Sequence, residues 1–285
     1  MRAHGSVQEL PQAGSGDHVC WVHDDGAEFD TVVRAFLAGG LDRGERLLCV
    51  GERAIAALDG DTAPLGDVGA LVTRGALRTL TVAEAYTAAG PLAVDRQRAF
   101  YAAATREALA DGYRGLRVVA ELSCVAADPA QRAELVRWEQ AGDEYMASGS
   151  GMSALCAYRG DLPPAALGDA LAAHPHGHAP GHLQPFRLFT DDDRLVLTGS
   201  VDTFGASRLA GLLAGAPVRG TAVLDLGGLE FVDVAGARAL AGWATAALAR
   251  GAAPELQDAS PLLQRMWRVL GLADVAPVAF PQPRS

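Results

Sequence analysis

The sequence predicts two consecutive α/β domains, the first built on a mostly parallel sheet. The chain has 285 residues, and a typical domain size of about 150 residues favours two domains. Hydrophobic residues make up 49% of the chain, which is typical of a protein that buries a core. Short apolar runs alternate with longer stretches of helical periodicity, a pattern typical of parallel sheets covered by helices.

In the first half, several apolar runs have the pattern of strands. They are HVCWVHD, which begins at His18, followed by RLLCVG, LRTLTV, LRVVAELS and SALCAY. Helical periodicity predicts helices around residues 28–38, 54–58, 94–110 and 129–147. Residues 1–16 are polar and contain glycine, so we expect a flexible N-terminus there. The first domain is therefore expected at residues 17–183.

The second half follows a segment rich in proline, glycine and histidine. This segment cannot propagate a helix, which predicts a domain boundary near residues 181–185 and a second domain at 186–285. The run FRLFTDDDRLVLTGSVD predicts two strands joined at the aspartates, and TAVLDLGGL and PELQDA predict two more. Helices are expected around residues 204–214, 234–250 and 261–270.

Charge and composition exclude several classes of protein. The net charge is −10, whereas nucleic-acid binders concentrate basic residues in a patch, so we expect no nucleic-acid partner. We find no apolar run of about 18 residues and no basic-then-apolar leader, which predicts a cytoplasmic protein without a membrane partner. The cysteines are scattered in apolar segments and are expected to be reduced thiols: Cys20, Cys49, Cys124 and Cys156.

The most informative stretch of the second half is AVLDLGGLEFVDVAGARAL, residues 222–240. It resembles the signature of STAS domains of the anti-sigma factor antagonist type, in which a buried strand ends in a hydrophobic residue and an aspartate before a helix. The matching residues are Asp225, Leu226, Leu229, Phe231, Val232, Asp233 and Gly236. The resemblance covers about residues 186–275 and implies a small α/β domain of a bacterial signalling protein.

What the resemblance implies for the loop is a docking site for a protein partner, such as an anti-sigma factor or a related regulator. The residues concerned are Asp233, Val234, Ala235 and Gly236. A simpler interpretation is that Asp233 only caps the helix that follows. Members of the family carry serine or threonine where this chain has Val234 and Ala235, so no phosphate can be attached there. Control is then expected to come from the first domain.

The first half resembles the MEDS family, the sensory domain of methanogen and methylotroph regulators. The residues that carry the resemblance are 18–24, 36–52, 111–123, 156–158 and the pair His174-Pro175. The family has a RecA-like fold that lacks a P-loop. Consistent with this, the first strand runs into acidic residues and the chain contains no lysine, so a phosphate-cradling Gly-Lys loop is absent and ATP hydrolysis is not expected.

The candidate ligand-binding residues of the first domain are His18, Cys20, Glu121, Cys156 and His174. His18 and Cys20 share a face because side chains alternate along a strand, and the others match positions that the family favours. Three interpretations remain open: ordinary core residues, a small-molecule pocket, or a metal site. We expect no metal and no cofactor, because the candidates include no close pair of cysteines or of histidines in sequence. The histidines of residues 174–182 are expected to lie in a solvated linker.

The sequence predicts a protein that is not an enzyme. Ser123 lies outside any Gly-x-Ser-x-Gly nucleophile elbow, and no pair of carboxylates has a spacing that indicates a catalytic pair. We therefore expect a regulator in which a domain that senses a small molecule or redox state controls a partner-binding STAS domain. The alternatives are an interaction scaffold without a ligand and an enzyme that depends on a metal or on a thiol such as Cys20 or Cys124.

Overall fold

The computed structural model describes residues 2–8, 14, 16–24, 26–60, 63–216 and 221–281. The strands of its first part are β1 (Gly5–Ser6), β2 (His18–His23), β3 (Arg46–Val50), β4 (Leu77–Leu80), β5 (Leu116–Glu121), β6 (Met152–Arg159) and β7 (His176–His178). The helices are α1 (Gly26–Asp42), α2 (Glu52–Ala56), α3 (Val68–Thr73), α4 (Val94–Ala110), α5 (Ser123–Ala127), α6 (Pro129–Ala147) and α7 (Pro164–Ala172). A short π-helix spans Ala83–Thr87.

These strands form one sheet of order β1-β7-β2-β6-β5-β3-β4. Every pairing in it is parallel, which confirms the predicted α/β class. Helices α1 to α3 cover one face, and the π-helix with α4 to α7 covers the other. The central strands are buried along their whole length, as expected for strands covered on both faces.

The second part of the chain is a smaller α/β unit. Its strands are β8 (Phe186–Asp191), β9 (Arg194–Val201), β10 (Thr221–Val232) and β11 (Ala253–Gln257). Its helices are α8 (Ala206–Gly215), α9 (Val234–Ala249), α10 (Pro261–Val269) and α11 (Leu272–Val275). The sheet order is β11-β10-β9-β8, with β8 antiparallel to β9 and the other pairs parallel.

Two expectations about irregular segments were wrong. Residues 1–16 were expected to be flexible, yet Gly5–Ser6 form an edge strand on β7, and the amide of Arg2 donates to Asp191. Met1, residues 9–13 and Ser15 lie outside the described residues. The histidine segment was expected to be a solvated linker, yet His176–His178 pair with β2 and are buried. The open edge of β2 supplies the hydrogen bonds that this segment lacks on its own.

The two parts are packed against each other. Helix α6 lies against β8 and α8, and the last residues of α7 join the apolar core of the second part. The buried Arg187 of β8 donates to the carbonyl oxygens of Leu171 and His174. Arg208 of α8 donates to Asp169 of α7 at 2.9 Å. Helix α6 thus contacts both the sheet of the first part, at β6, and the strand that opens the second, β8.

Among the helices of the described ranges, none combines the length and apolarity needed to cross a membrane.

Candidate functional site

The sheet face beneath α6 carries a group of buried polar side chains. Strands β2 and β6 pair so that His18 lies opposite Ala154 and Cys20 opposite Cys156. Because side chains alternate along a strand, His18, Cys20 and Cys156 share this face. His174 reaches it from the turn after α7. Three of the five predicted ligand residues, His18, Cys156 and His174, are thereby brought together.

Helix α6 contributes the fourth member, Glu139. One donor atom from each of His18, Glu139, Cys156 and His174 lies within 4.8 Å of the others. Glu139 Oε2 lies 3.2 Å from His18 Nε2, 3.4 Å from His174 Nε2 and 3.4 Å from Cys156 Sγ. Cys156 Sγ also lies 3.4 Å from His18 Nε2. We call these four residues the buried donor cluster, since each is at most 4% exposed.

Both imidazole rings are oriented by a partner on their Nδ1 side. His174 Nδ1 lies 2.7 Å from the carbonyl oxygen of Ala170. A carbonyl oxygen only accepts, so this nitrogen carries a proton and donates it. His18 Nδ1 lies 3.3 Å from Asp143 Oδ1, again an acceptor. The Nε2 atom of each ring is consequently the one that faces Glu139 and the centre of the cluster.

The carboxylates of α6 are fixed by contacts outside the cluster. Glu139 Oε1 accepts a hydrogen bond from the Tyr158 hydroxyl at 2.6 Å, which leaves Oε2 for the cluster. Asp143, one helical turn after Glu139, is also buried and receives Arg2 Nη1 at 2.6 Å. Residues four apart lie on one face of a helix, so α6 presents both carboxylates to the sheet.

The electrostatics of the site follow from burial and close charges. Burial alone would raise the pKa of the Glu139 carboxyl, but contacts with His174 and His18 hold it well below its usual value. Burial would lower the pKa of His18, yet hydrogen bonds and charge from Asp143 and Glu139 raise it. Burial, and then the Glu139 charge, raise the pKa of the Cys156 thiol far above normal. In the absence of a bound cation, the geometry favours an imidazolium at His18 between two carboxylates.

The other two predicted ligand residues do not join the cluster. Cys20 is buried beside Cys156 on the neighbouring strand, and burial followed by the Glu139 charge raises its thiol pKa. Glu121 lies on β5 opposite Ala157. It belongs to the alternate set of side chains and faces away from Cys156, so it does not converge on the cluster. The period of two along the strands is the physical reason.

Glu121 instead lines a cavity at the carboxyl ends of the parallel strands. The cavity has a volume of about 810 Å³, and its lining includes His23, Glu52, Arg53, Ser123 and Arg159. Gly51, with a φ of 104°, turns the end of β3 toward α2 here, and a Cβ atom at Gly51 would lie 2.9 Å from the Glu121 carbonyl. The crevice outside the carboxyl ends of strands is the usual ligand position in open α/β sheets.

In the second part of the chain, the predicted docking residues surround the start of α9. Asp233 caps this helix: one carboxylate oxygen accepts from the Gly236 amide at 2.9 Å, and the other from the Thr203 hydroxyl at 2.7 Å. These backbone and hydroxyl hydrogen bonds lower the pKa of Asp233. Apolar side chains are exposed nearby, with Phe204 at 90%, Phe231 at 52% and Val234 at 39%. Ala235 follows in the first turn of the same helix.

One side chain next to the donor cluster also contacts the second part of the chain. Asp143, whose Oδ1 lies beside His18, accepts the backbone N–H of Thr190 in β8 through its Oδ2 atom at 2.7 Å. Sequence reasoning missed both Glu139 and Asp143. The signal was present, because Leu135, Trp138 and Met146 form the apolar face of α6, and the two acids occupy that same face. An acidic residue on the buried face of a helix indicates a paired or functional carboxylate.

Two family models match the chain. The one described as "MEDS: MEthanogen/methylotroph, DcmR Sensory domain" matches residues 17–175, more than half of the chain. The one described as "Mlab, STAS domain" matches residues 187–278. No curated protein matches the chain. Both resemblances inferred from the sequence are confirmed in the predicted order; the first matched range contains β2 to β6, and the second begins one residue after the start of β8 and contains β9 to β11.

Proposed function

Because the chain belongs to the MEDS family and its C-terminal part matches a STAS family, we propose a non-catalytic regulator of bacterial signalling. In this proposal the MEDS domain senses a small molecule or a redox state in the cytoplasm. The STAS domain binds a protein partner, such as an anti-sigma factor or related regulator. The state of the first domain sets how well the second domain engages that partner.

The observation that carries this proposal is the position of α6. Its buried face supplies Glu139 to the donor cluster, while Asp143 contacts both His18 and the Thr190 amide of the STAS domain. A change in charge at His18 acts directly on Asp143, and Asp143 holds the first strand of the second sheet. Coupling between two sites requires a physical element that both sites influence, and α6 supplies one.

The cavity at the strand ends supplies a second input to the same helix. Ser123 and Cys124 line the cavity and belong to α5, which packs against α6. The mixture of Arg53 and Arg159 with Glu52 and Glu121 suits a small polar molecule rather than a polyphosphate, since the carboxylates would repel phosphate groups. A molecule bound there would contact α5 and could thereby shift α6.

The start of α9 is the surface we assign to the partner. Exposed Phe204, Phe231 and Val234 surround the capped Asp233, and aromatic side chains are enriched among residues that dominate binding energy. Because Val234 and Ala235 have no hydroxyl group, the partner interaction is not switched by phosphate on these residues. Regulation through the first domain replaces that switch in our proposal.

The test is a binding measurement on the full chain. Lysate of the source cells is first used to identify a partner retained by the wild type and lost from the Asp233→Arg variant. The affinity of that purified partner is then measured for the wild type and for Asp143→Asn, which alters the α6 contact but not the docking surface. We expect Asp143→Asn to change the affinity several-fold or more, because it removes the charge that links His18 to Thr190.

A matched control is Asp169→Asn. Asp169 also bridges the two domains, through Arg208, but it has no contact with the donor cluster. If both aspartate variants alter affinity equally, the effect reflects general loosening of the domain contact. If neither does, the chain is an interaction scaffold whose first domain exerts no control. A thermal-shift assay with a panel of metabolites further distinguishes a sensing regulator from a scaffold without a ligand, since a ligand that binds only the folded state raises its apparent stability.

A further inference from the structure

The buried donor cluster needs a positive charge at its centre, either as a proton on His18 or as a bound cation. If both imidazoles are neutral and carry their proton on Nδ1, then His18 Nε2 and His174 Nε2 each direct a lone pair at Glu139 Oε2, at 3.2 and 3.4 Å. In the part of the chain that the structure describes, His174 Nε2 makes no hydrogen bond. Opposed lone pairs inside a protein are costly unless a cation lies between them.

The spacing of the donor atoms is that of ligands around one ion. Zinc binds nitrogen and oxygen at about 2.0–2.2 Å and sulfur at about 2.3 Å, so a tetrahedron separates ligand atoms by roughly 3.3 to 3.6 Å. Four of the six separations between the donor atoms are 3.2, 3.4, 3.4 and 3.4 Å, and the other two are at most 4.8 Å. The same spacing leaves no room for an organic molecule between the donors.

We propose that this cluster binds one divalent metal ion of the zinc class through four side chains: His18, Glu139, Cys156 and His174. Two imidazoles, a carboxylate and a thiolate form a ligand set that zinc accepts in tetrahedral sites. Two anionic ligands balance the two positive charges of the ion, so the buried site is neutral overall. Binding releases the thiol proton of Cys156 and any proton held between the imidazoles and carboxylates.

The surrounding contacts are those that orient metal ligands. A metal-bound histidine usually donates its other ring N–H to a carboxylate or a carbonyl oxygen. Here His18 is paired with Asp143 and His174 with the Ala170 carbonyl oxygen, while Tyr158 holds the remaining oxygen of Glu139. Three of the four ligands are therefore oriented before the ion binds. This assignment rests on geometry and would stand even if the chain had no regulatory role.

The experiment uses the full chain, stripped of metal by a chelator and then titrated with cobalt(II) as a spectroscopic substitute for zinc. We expect one cobalt ion per chain, with the strong visible bands of a tetrahedral site and a thiolate-to-cobalt charge-transfer band. Addition of zinc should remove both signals. The proposal is overturned if the folded wild type binds no stoichiometric cobalt, or if its spectrum is octahedral and lacks the thiolate band.

Variants identify the ligands. Cys156→Ala should lose the thiolate band, while Cys20→Ala, which removes an equally buried thiol on the adjacent strand, should keep it. Asp143→Asn should weaken zinc binding by about 10- to 100-fold in competition with a chromophoric chelator, as expected for a residue that orients a ligand. Loss of the band in Cys20→Ala together with its retention in Cys156→Ala would contradict the assignment. Should Cys156→Ala fail to fold, the wild-type spectrum still decides the question.

Discussion

The Asp143 carboxylate of α6 accepts the backbone N–H of Thr190 in β8 at 2.7 Å. Thr190 belongs to the first strand of the STAS domain, so a backbone group of that domain depends on a side chain of the MEDS domain. The other oxygen of Asp143 lies 3.3 Å from His18. Since Asp143 is buried, water cannot replace either contact.

Asp143→Ala should therefore destabilise the whole chain. The substitution leaves the Thr190 amide without its acceptor and removes a carboxylate from His18 and Arg2. Breaking a buried charged pair from one side typically costs about 3–5 kcal/mol of unfolding free energy. Urea denaturation of the full chain measures the loss, and Asp161→Ala is the control, since Asp161 is an exposed acid whose removal should change stability by less than about 0.5 kcal/mol.

Hydrogen exchange locates the effect. In the Asp143→Ala variant, the amides of Phe186–Asp191 should exchange faster than in the wild type, because Thr190 has lost its acceptor. Unchanged exchange in this strand, or equal stability losses for the two alanine variants, would show that the contact does not hold the domains together.

Much of the fold was predictable because its local signals agree. The helices at 94–110 and 129–147 were predicted with the bounds that the structure has. The hydrophobic periodicity of both segments indicates a helix, and the proline at the start of α6 is typical of a first helical turn. The other strands of both sheets, apart from β1 and β7, were likewise predicted where apolar runs lie between turn residues. The strands β1 and β7, at one end of the first sheet, were missed, since a segment rich in glycine and histidine becomes a strand only when a neighbouring strand is there to pair with it.

The candidate site was only partly predictable. His18, Cys156 and His174 were named from the family resemblance, but their residue numbers gave no hint of a metal-ligand spacing, because strand pairing and a helix turn bring them together. Glu121 lies on the other face of the sheet and lines the cavity at the strand ends, since the face that a side chain occupies depends on the register of β5. Glu139 was missed because helical periodicity alone does not show that an acidic residue on the apolar face of α6 is paired with buried histidines.

The cysteines provide a test of the thiol-enzyme alternative. Cys20, Cys49 and Cys156 are buried and Cys124 is exposed. Burial raises the pKa of Cys49 to about 12, and burial together with the charges of Glu121 and Glu52 raises that of Cys124. We expect an aromatic disulfide reagent to modify one thiol of the native protein, slowly, and all four after unfolding.

Cys124→Ser is the matched variant and should abolish the native reaction. Rapid modification of a native thiol at neutral pH would indicate a thiolate and would support the enzyme alternative instead.

His23 should make stability depend on pH. Burial, and then the charges of Arg53 and Arg159, lower its pKa to about 4, whereas a histidine in the unfolded chain titrates near about 6.5. Between these values the unfolded state binds a proton that the native state does not. The stability due to neutral His23 is thus fully present above about pH 6.5 and is lost as the pH falls toward 4.

The measurement is urea denaturation of the wild type and His23→Gln from about pH 7 to about pH 4.5. We expect the wild type to lose more unfolding free energy than His23→Gln over this range, while His182→Gln follows the wild type. Parallel curves for the wild type and His23→Gln would mean that His23 titrates normally in the folded protein.

Two separable features near the start of α9 are expected to support partner binding: the capping carboxylate of Asp233 and the exposed ring of Phe231. Asp233→Asn keeps an oxygen that can accept from the Gly236 amide, so the cap and the affinity should change little. Asp233→Arg removes the cap and reverses the charge, and should weaken partner binding by tenfold or more.

Phe231→Ser tests the apolar contribution, since the loss of an aromatic residue that anchors an interface costs more than about 1 kcal/mol, or roughly fivefold in affinity. Leu262→Ser, which removes another exposed apolar side chain on α10, should bind normally. Equal losses for Phe231→Ser and Leu262→Ser would instead assign the partner to a broader surface that includes α10.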